Sequence, residues 1–272
     1  MNLIFSLRPS LLLICLLFLL ESCTIQDHLQ PAANPYENCL LSEVRDVEIH
    51  KILPNEDIKI GDNYFDFGHS KVIDIVEIDG SQYALSSSGE DFYGYKYDLQ
   101  NRLIEQTHSN QFVRGKEMYT YEYTPGKLKI KFVHEGWPSE TREFTHTLNE
   151  YGFISNKDVI YNSEGYIIKD NYGFKNTISD GNTVKSESGS SISTAEFDLT
   201  KLNIPNPTPF NGKADRNLIT KTTSVYGYSI PNSIGEYIYK FDNEGKVTRR
   251  IRKIYNQDNT HINIREYKYD CQ

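Results

Sequence analysis

The chain lacks an excess of positive charge. Its 29 lysines and arginines are outnumbered by 37 aspartates and glutamates, which leaves a formal net charge of -8. No more than two basic residues are consecutive anywhere in the chain. Because nucleic acids and anionic membrane surfaces attract basic patches, the composition argues against both as partners.

The chain also lacks an N-terminal apolar run long enough to cross a bilayer. The apolar run covers only residues 11–20, whereas a spanning helix needs about 20 apolar residues. The length is typical of a secretory signal peptide. Leu20-Glu21-Ser22-Cys23 follows and resembles a bacterial lipobox, which has an aliphatic residue three positions before the cysteine and a small residue directly before it. The resemblance implies a lipoprotein signal peptide over residues 1–22 and acylation of Cys23, whereas the alternative is an ordinary signal peptide with a chance cysteine.

Cysteine is scarce, with four in the whole chain. If Cys23 carries lipid, the exported protein keeps Cys39 and Cys271 as an even pair in an oxidising compartment, which favours a disulfide. Such a bridge requires the two Cα atoms to lie within about 7 Å, so it would place the first and last strands side by side. The alternative is two unpaired thiols.

Motifs of the common enzyme classes are missing. The chain has no His-Glu-x-x-His, no Gly-x-Ser-x-Gly, no phosphate loop and no Cys-x-x-Cys, and we predict no cofactor. The best catalytic candidate is His134-Glu135-Gly136-Trp137 with Glu140 and Glu143, because paired carboxylates could serve a glycoside hydrolase. The alternative is that His134 ends a strand, a turn follows it, and the glutamates are solvated.

Acidic residues between positions 57 and 66 suggest a calcium loop at first sight. They are Asp57, Asp62 and Asp66, together with the amide residue Asn63. Their spacing matches no loop with a defined order of ligands, and exposed turns collect such residues in any case. We therefore predict no metal site.

The chain is rich in a seven-residue turn pattern. An aromatic or aliphatic residue is followed by three polar-tolerant positions, a Gly or Asn, any residue, and an aliphatic residue. The copies are residues 97–103, 148–154, 161–167 and 241–247. Their fifth positions are Asn101, Gly152, Gly165 and Gly245. Gly and Asn take positive φ at least cost, so each copy predicts the tip of a β-hairpin with a type I turn and a left-handed bulge.

Tyrosine alternates with other residues in two segments. The sets are Tyr93, Tyr95 and Tyr97, then Tyr119, Tyr121 and Tyr123. A period of two places each set on one face of a strand. Across the turn at residues 124–126, pairing Tyr123 with Leu128 sets Tyr121 opposite Ile130 and Glu122 opposite Lys129. Tyr119 then faces Phe132, so both faces support one register.

The same register assigns a polar residue to the aromatic face of all four framed hairpins. These residues are Glu105, Asn156, Lys169 and Arg249. A dry core would not accept them without partners. We therefore predict an aromatic face that is apolar near the turns and partly wet further along. The alternative is that β-bulges shift the register and turn these side chains outward.

Composition divides the chain into three parts. After the signal peptide, residues 23–38 are polar with two prolines and predict a flexible tether. Residues 39–272 predict a single all-β domain, an antiparallel meander of hairpins that forms a strongly curved sheet or a closed barrel-like one. Within it, residues 179–217 are rich in Ser, Gly, Asn and Pro, and predict a loop-rich excursion.

The framed turns at residues 97–103 and 241–247 are similar to the Tyr-Asp repeat of secreted β-repeat proteins. Together with the lipobox and the segment Gly212-Lys213-Ala214-Asp215-Arg216-Asn217-Leu218, they resemble a Bacteroidota lipoprotein family of unknown function described as porin-like in fold. The resemblance implies many antiparallel strands in a curved or closed meander, and it supplies no activity. For the lipid-anchored protein we predict a location in the cell envelope, at the outer membrane. Lysines at 127, 129 and 131 would not suit a face exposed to lipid, so we do not expect a membrane-embedded porin.

These observations predict a non-enzymatic, lipid-anchored envelope protein. Its partners would be the membrane, through the N-terminal lipid, and a protein or glycan. The membrane side stays open, because only Asp27 represents the acidic cluster that often follows Cys23 in surface lipoproteins. The candidate ligand contacts are Trp137, Tyr93, Tyr95, Tyr119 and Tyr121, since exposed rings stack on sugars or apolar peptides.

Two other roles stay open. The first is an envelope assembly factor that pairs a free sheet edge with another chain. The second is the hydrolase at residues 134–143. The tyrosines themselves could simply fill a core, and an exposed cluster of at least three of them lining one groove would separate that alternative from ligand binding.

Overall fold

The computed structural model describes residues 34–272, except for 64–70, 87–90, 111–114, 138–139, 227–231 and 257–258. The signal peptide and the lipobox cysteine Cys23 lie outside the described residues, as does Asp66. No helix among the described residues has the length and apolarity to cross a membrane. The unit that we describe is residues 35–272.

The described residues form seventeen strands, and Pro209–Asn211 forms a short 3-10 turn. The strands are β1 (Cys39–Lys51), β2 (Val72–Ile78), β3 (Ser81–Ser86), β4 (Asp91–Tyr97), β5 (Leu103–Asn110), β6 (Lys116–Thr124), β7 (Lys127–His134), β8 (Arg142–Thr147), β9 (Ile160–Tyr161), β10 (Ile167–Lys169), β11 (Lys175–Ser179), β12 (Asn182–Ser188), β13 (Ser191–Leu202), β14 (Asn217–Val225), β15 (Ser233–Phe241), β16 (Val247–Tyr255) and β17 (Thr260–Cys271). Every ladder between them is antiparallel. The prediction of an all-β antiparallel meander is confirmed.

Strand β1 joins two meanders. Strands β4 to β8 pair in sequence order, and so do β9 to β17. β1 pairs with β17 and with β4, so the first strand connects the last strand to the first meander. No ladder joins β8 to β9 in the described part of the chain, so the sheet is not closed and the closed alternative was wrong. An open sheet is what the strand-addition alternative requires.

The disulfide lies at the start of this connection. Cys39 and Cys271 face each other in the β1–β17 ladder, with Cα atoms 4.1 Å apart and sulfurs 2.07 Å apart. The predicted tether was placed at residues 23–38, but its C-terminal part is packed against the domain. Tyr36 is buried there, and its hydroxyl accepts a hydrogen bond from the Val247 amide at 3.1 Å. Its ring lies 5.3 Å from that of Tyr269.

The framed turns have positive φ at the fifth position: 60° at Asn101, 79° at Gly152, 90° at Gly165 and 87° at Gly245. The second position has a role that sequence reasoning missed. In each copy its side-chain oxygen accepts two backbone N–H groups, as Asp242 does from Glu244 and Lys246 at 3.0 and 2.9 Å. Asp170 does the same in a fifth copy that lacks the apolar flanks. The Asx side chain satisfies amides that the turn itself leaves free.

The tyrosine hairpin has the predicted register. Tyr123 pairs with Leu128, Tyr121 with Ile130 and Tyr119 with Phe132, and Glu122 meets Lys129 on the other face. This prediction is confirmed in every pair. The agreement of two faces was sufficient because a slip of one residue would reverse both of them.

The prediction for the four polar residues was wrong, and the alternative with bulges is correct for three of them. One extra residue follows the turn in three copies, so Glu105 pairs with Lys96, Lys169 with Ile160, and Arg249 with Lys240. Their side chains therefore lie on the face opposite the tyrosines. Asn156 lies outside any strand, where its side-chain oxygen accepts the Asp158 amide at 3.0 Å.

The aromatic face is nevertheless partly polar, one residue further along than predicted. Gln106 pairs with Tyr95, and Arg250 pairs with Tyr239. The Tyr121 hydroxyl donates to the Gln106 side-chain oxygen at 3.0 Å. The bulge changed which residues occupy this face without making it wholly apolar.

The hairpin of β2 and β3 packs on the opposite face of the sheet. Ile78 and Leu85 form a buried cluster with Val47 and Ile264. Arg249 reaches across to Asp74 at 2.6 Å and pairs with Glu266 on the neighbouring strand at 2.7 Å. The bulge thus places Arg249 on the face opposite the tyrosines, where its guanidinium group forms an ion pair with the β2–β3 hairpin.

The predicted loop-rich excursion is shorter than residues 179–217. Strands β12 and β13 occupy 182–188 and 191–202, and tight turns join β11 to β12 and β12 to β13. Asp180 and Gly181 both have positive φ, 52° and 75°, as a type I′ hairpin turn requires. Ser and Thr suit half-buried strands, so composition alone was misleading here. The irregular part is residues 203–216.

Candidate functional site

A cavity of about 380 Å³ lies between the tyrosine face and the irregular segment. Its sheet side includes Tyr93, Tyr95, Tyr267, Arg250 and Arg265, with Leu41 and Val44 as the apolar part. Residues 203–207 and Ala214 form the rest of the wall. A concave site with aromatic surface and a few polar groups is the usual form of a small-ligand site, and the volume is at the lower end of that class.

Two cross-strand rows position the side chains of the cavity. In the first, Val44 on β1 pairs with Tyr93 on β4 and with Tyr267 on β17. The second row lies two residues further along the strands. It contains Asp46, Arg265, Arg250 and Tyr239 on β1, β17, β16 and β15. Directly paired residues project to the same face, so both rows face the cavity side. The site exists only because β1 lies between β4 and β17.

The tyrosines of the cavity are held neutral. Burial raises the pKa of Tyr95 to about 12, and burial together with the charge of Asp91 raises the pKa of Tyr93. The hydroxyl groups therefore remain protonated at neutral pH. They can donate and accept hydrogen bonds, while the rings offer apolar surface.

His108 supports Tyr93 from the neighbouring strand. The two rings stack with centroids 4.5 Å apart and planes 8° apart. His108 Nδ1 lies 3.0 Å from a Glu117 oxygen and Nε2 lies 2.8 Å from an Asp91 oxygen. Burial lowers the pKa of His108, but the hydrogen bonds to Asp91 and Glu117 outweigh it and leave the pKa raised. The sequence analysis missed this cluster, because the three residues come from three strands.

The two arginines differ in their charge partners. Arg265 donates to both carboxylate oxygens of buried Asp46, at 2.6 and 2.7 Å, and this bond is the main reason that its pKa is raised. Arg250 has no carboxylate partner among the described residues, and its Nε is buried without an acceptor. Its guanidinium carbon lies 5.9 Å from the centroid of the Tyr237 ring. Neither arginine was singled out from the sequence.

The five predicted ligand contacts separate into three places. Tyr93 and Tyr95 line the cavity. Tyr119 and Tyr121 belong to a second cluster, in which buried Tyr121 lies 5.3 Å from the ring of Phe210. Trp137 is half exposed and stacks on His134 at 4.5 Å. Tyr267 lines the same cavity, but it is 7% exposed and belongs to the buried cluster of Leu41 and Val44, so the exposed cluster of three tyrosines that would separate ligand contact from core filling is not present there.

The irregular segment that covers the tyrosine face is fixed by buried groups. Phe210 packs into the cluster of Leu103, Tyr121 and Leu128, and Ile204 packs against the cluster of Leu41 and Val44. At its base, buried Asn217 donates to the carbonyls of residues 199 and 201, each at 3.1 Å, and its backbone amide donates to the Asn182 side chain at 2.8 Å. Segment 212–218 was noted in the sequence, but this amide pair was not.

The catalytic candidates do not form a cluster. His134 is buried, and its Nδ1 accepts the Gly136 amide at 3.1 Å. It ends β7 on the face of Leu128 and Ile130, whereas Glu143 pairs with Lys131 on the other face and binds Lys129 at 3.1 Å. Glu140 is exposed. A glycoside hydrolase needs two carboxylates about 5–9.5 Å apart that flank one bond, whereas Glu143 is paired with a lysine.

The acidic residues near position 60 shape their own loop. Asp62 accepts the Lys59 amide at 2.8 Å, and Asp57 binds the Lys59 ammonium at 2.9 Å. In the part of the chain that the structure describes, no group of three or more His, Cys, Asp or Glu side chains is arranged to hold a metal ion.

Comparison with solved structures finds similar chains, among them two porin-like proteins from Bacteroides. A porin-like protein from Bacteroides uniformis is 15% identical, with a TM-score of 0.49 over 85% of this chain and 98% of that chain. A porin-like protein from Bacteroides vulgatus is 9% identical, with a TM-score of 0.27 over the same shares. No protein-family model matches the chain, and no curated protein matches it either. With such low identities and TM-scores below 0.5, neither structure informs the function of this chain.

Proposed function

We propose that this chain is a lipid-anchored envelope protein, without catalytic activity, that binds a glycan in the cavity of the tyrosine face. One observation carries the proposal: three neutral tyrosines and two arginines line a single concave site of about 380 Å³. Sugars bind to proteins through apolar ring faces and hydroxyl groups, and the cavity offers tyrosine rings for the first and polar side chains for the second. The resemblance to a Bacteroidota lipoprotein family supports the envelope location.

The anchoring part of the proposal depends on Cys23. When the chain is expressed with its own signal in a Gram-negative host, the protein should fractionate with membranes, and Cys23→Ser should move most of it to the soluble fraction. Cys15→Ser is the matched control, because it changes a cysteine inside the apolar run and leaves the lipobox intact. Retention of the Cys23→Ser protein in the membrane fraction would refute acylation at this site.

The binding part depends on the tyrosine rings. The purified full-length chain should bind members of a glycan array, and Tyr93→Ala should weaken the affinity for the best of them about tenfold, as expected for the loss of one stacked ring. Titration calorimetry measures the change. Tyr172→Ala is the control, because Tyr172 is 79% exposed in a turn away from the cavity.

Two results would contradict this proposal. Equal loss of affinity in both tyrosine variants would show that the cavity is not the site. Absence of any glycan ligand, together with capture of one envelope protein through the same cavity residues, would transfer the function to a protein partner.

A further inference from the structure

The cavity keeps one positive charge that no protein group neutralises in the described part of the chain. The charges of Arg265 and Asp46 cancel in a bidentate pair. Arg250 is the direct cross-strand neighbour of Arg265, and it has no carboxylate of its own. Arg250 therefore carries an uncompensated positive charge within the cavity of a protein whose net charge is -8.

The surroundings of Arg250 give that charge little compensation. The Tyr239 and Tyr267 hydroxyls lie close enough for the guanidinium charge to oppose the rise in pKa that burial causes in both. Both pKa values nevertheless remain raised, so these neighbours are neutral phenols at physiological pH. The buried Nε lacks an acceptor, and a buried donor without an acceptor is costly. An anion in the cavity would supply the missing negative charge through the part of the guanidinium group that lines it.

A second arginine on β16 can serve as a control for Arg250, because it lies on the same strand but does not line the cavity. Arg252 projects to the same face of β16, two residues further on, and its Nε also lacks an acceptor. It lies over the same Tyr237 ring, at 5.5 Å. Arg250 lines the cavity and Arg252 does not. The two residues thus share their chemistry and differ in access to the site.

We propose that the ligand is an acidic sugar whose carboxylate binds Arg250, while Tyr93, Tyr95 and Tyr267 contact the sugar ring. The inference rests on the proposed function and adds the chemical class of the ligand. A guanidinium matches a carboxylate with two parallel hydrogen bonds, which a neutral hydroxyl cannot reproduce. Arg250 therefore selects for charge, and the tyrosines select for shape.

An array of matched glycans tests the inference on the full-length protein. Oligosaccharides that contain uronic or sialic acids are printed beside their carboxyl-reduced forms, which differ only in the acidic group. The wild-type protein should bind at least one acidic member ten times more tightly than its reduced form. Arg250→Met should remove this preference, Arg250→Lys should keep part of it, and Arg252→Met should keep all of it.

The outcomes distinguish this inference from the proposed function. Equal binding of acidic and reduced forms, or a preference that survives Arg250→Met, would overturn the inference and leave glycan binding intact. Binding to no glycan in either form would overturn both. The thermal unfolding midpoint of Arg250→Met should match the wild type, because the substitution breaks no ion pair within the described residues, so a loss of preference would not reflect misfolding.

Discussion

Replacing Cys39 and Cys271 together by serine should lower the free energy of unfolding by about 4–5 kcal/mol. The two residues are 232 positions apart, so the disulfide closes a very long loop and removes much of the conformational entropy of the unfolded chain. It also fastens β1 to β17 at the end of the ladder that joins the two meanders. Urea unfolding followed by tyrosine fluorescence measures the loss.

The reduced wild-type protein provides the control. Reductant should destabilise the wild type to the level of the double variant and should leave the double variant unchanged. A double variant as stable as the oxidised wild type would contradict the entropic argument. It would also show that the β1–β17 ladder holds without covalent help.

Phe210→Ala should cost about 3–4 kcal/mol of unfolding free energy. Phe210 is 5% exposed, and it inserts from the irregular segment into the cluster of Leu103, Tyr121 and Leu128. Its backbone carbonyl accepts the Ile154 amide at 2.8 Å, so the segment is held close to its site and cannot collapse freely into the space that the ring leaves. The cavity that results accounts for much of the cost.

The matched control is Phe144→Ala, the same change at a residue that is 47% exposed on β8. It should cost less than about 1 kcal/mol, since little apolar surface is returned to water. Chemical denaturation of both variants gives the comparison. Similar losses at the two positions would mean that Phe210 is not an anchor of the segment.

Local features of the fold were predictable because their causes are local. Positive φ at Asn101 and Gly245 follows from a turn that only a few residue types can form. The hairpin around residues 124–126 was correct because alternation on two faces allowed a single register. The bulges could be stated only as an alternative, because Ile104 and Thr248 look like ordinary strand residues and a two-residue period does not reveal the insertion of one extra position.

The candidate site was only partly predictable. Tyr93 and Tyr95 were selected from their alternation, which shows that they share a face but not what that face meets. Tyr267 and Arg250 come from strands near the end of the chain and reach the cavity through pairing partners that no nearby residue specifies.

By itself, the sequence determined the turn tips, the alternation of the strands, the all-β class and the absence of the common catalytic motifs, because each depends on residues within a few positions of one another. Only the tertiary structure decided that β1 lies between β4 and β17, and that residues 203–216 return over the tyrosine face. Both arrangements join residues far apart in the chain, and their stability comes from burial and pairing summed over many strands. The cavity and its unpaired arginine belong to this second group.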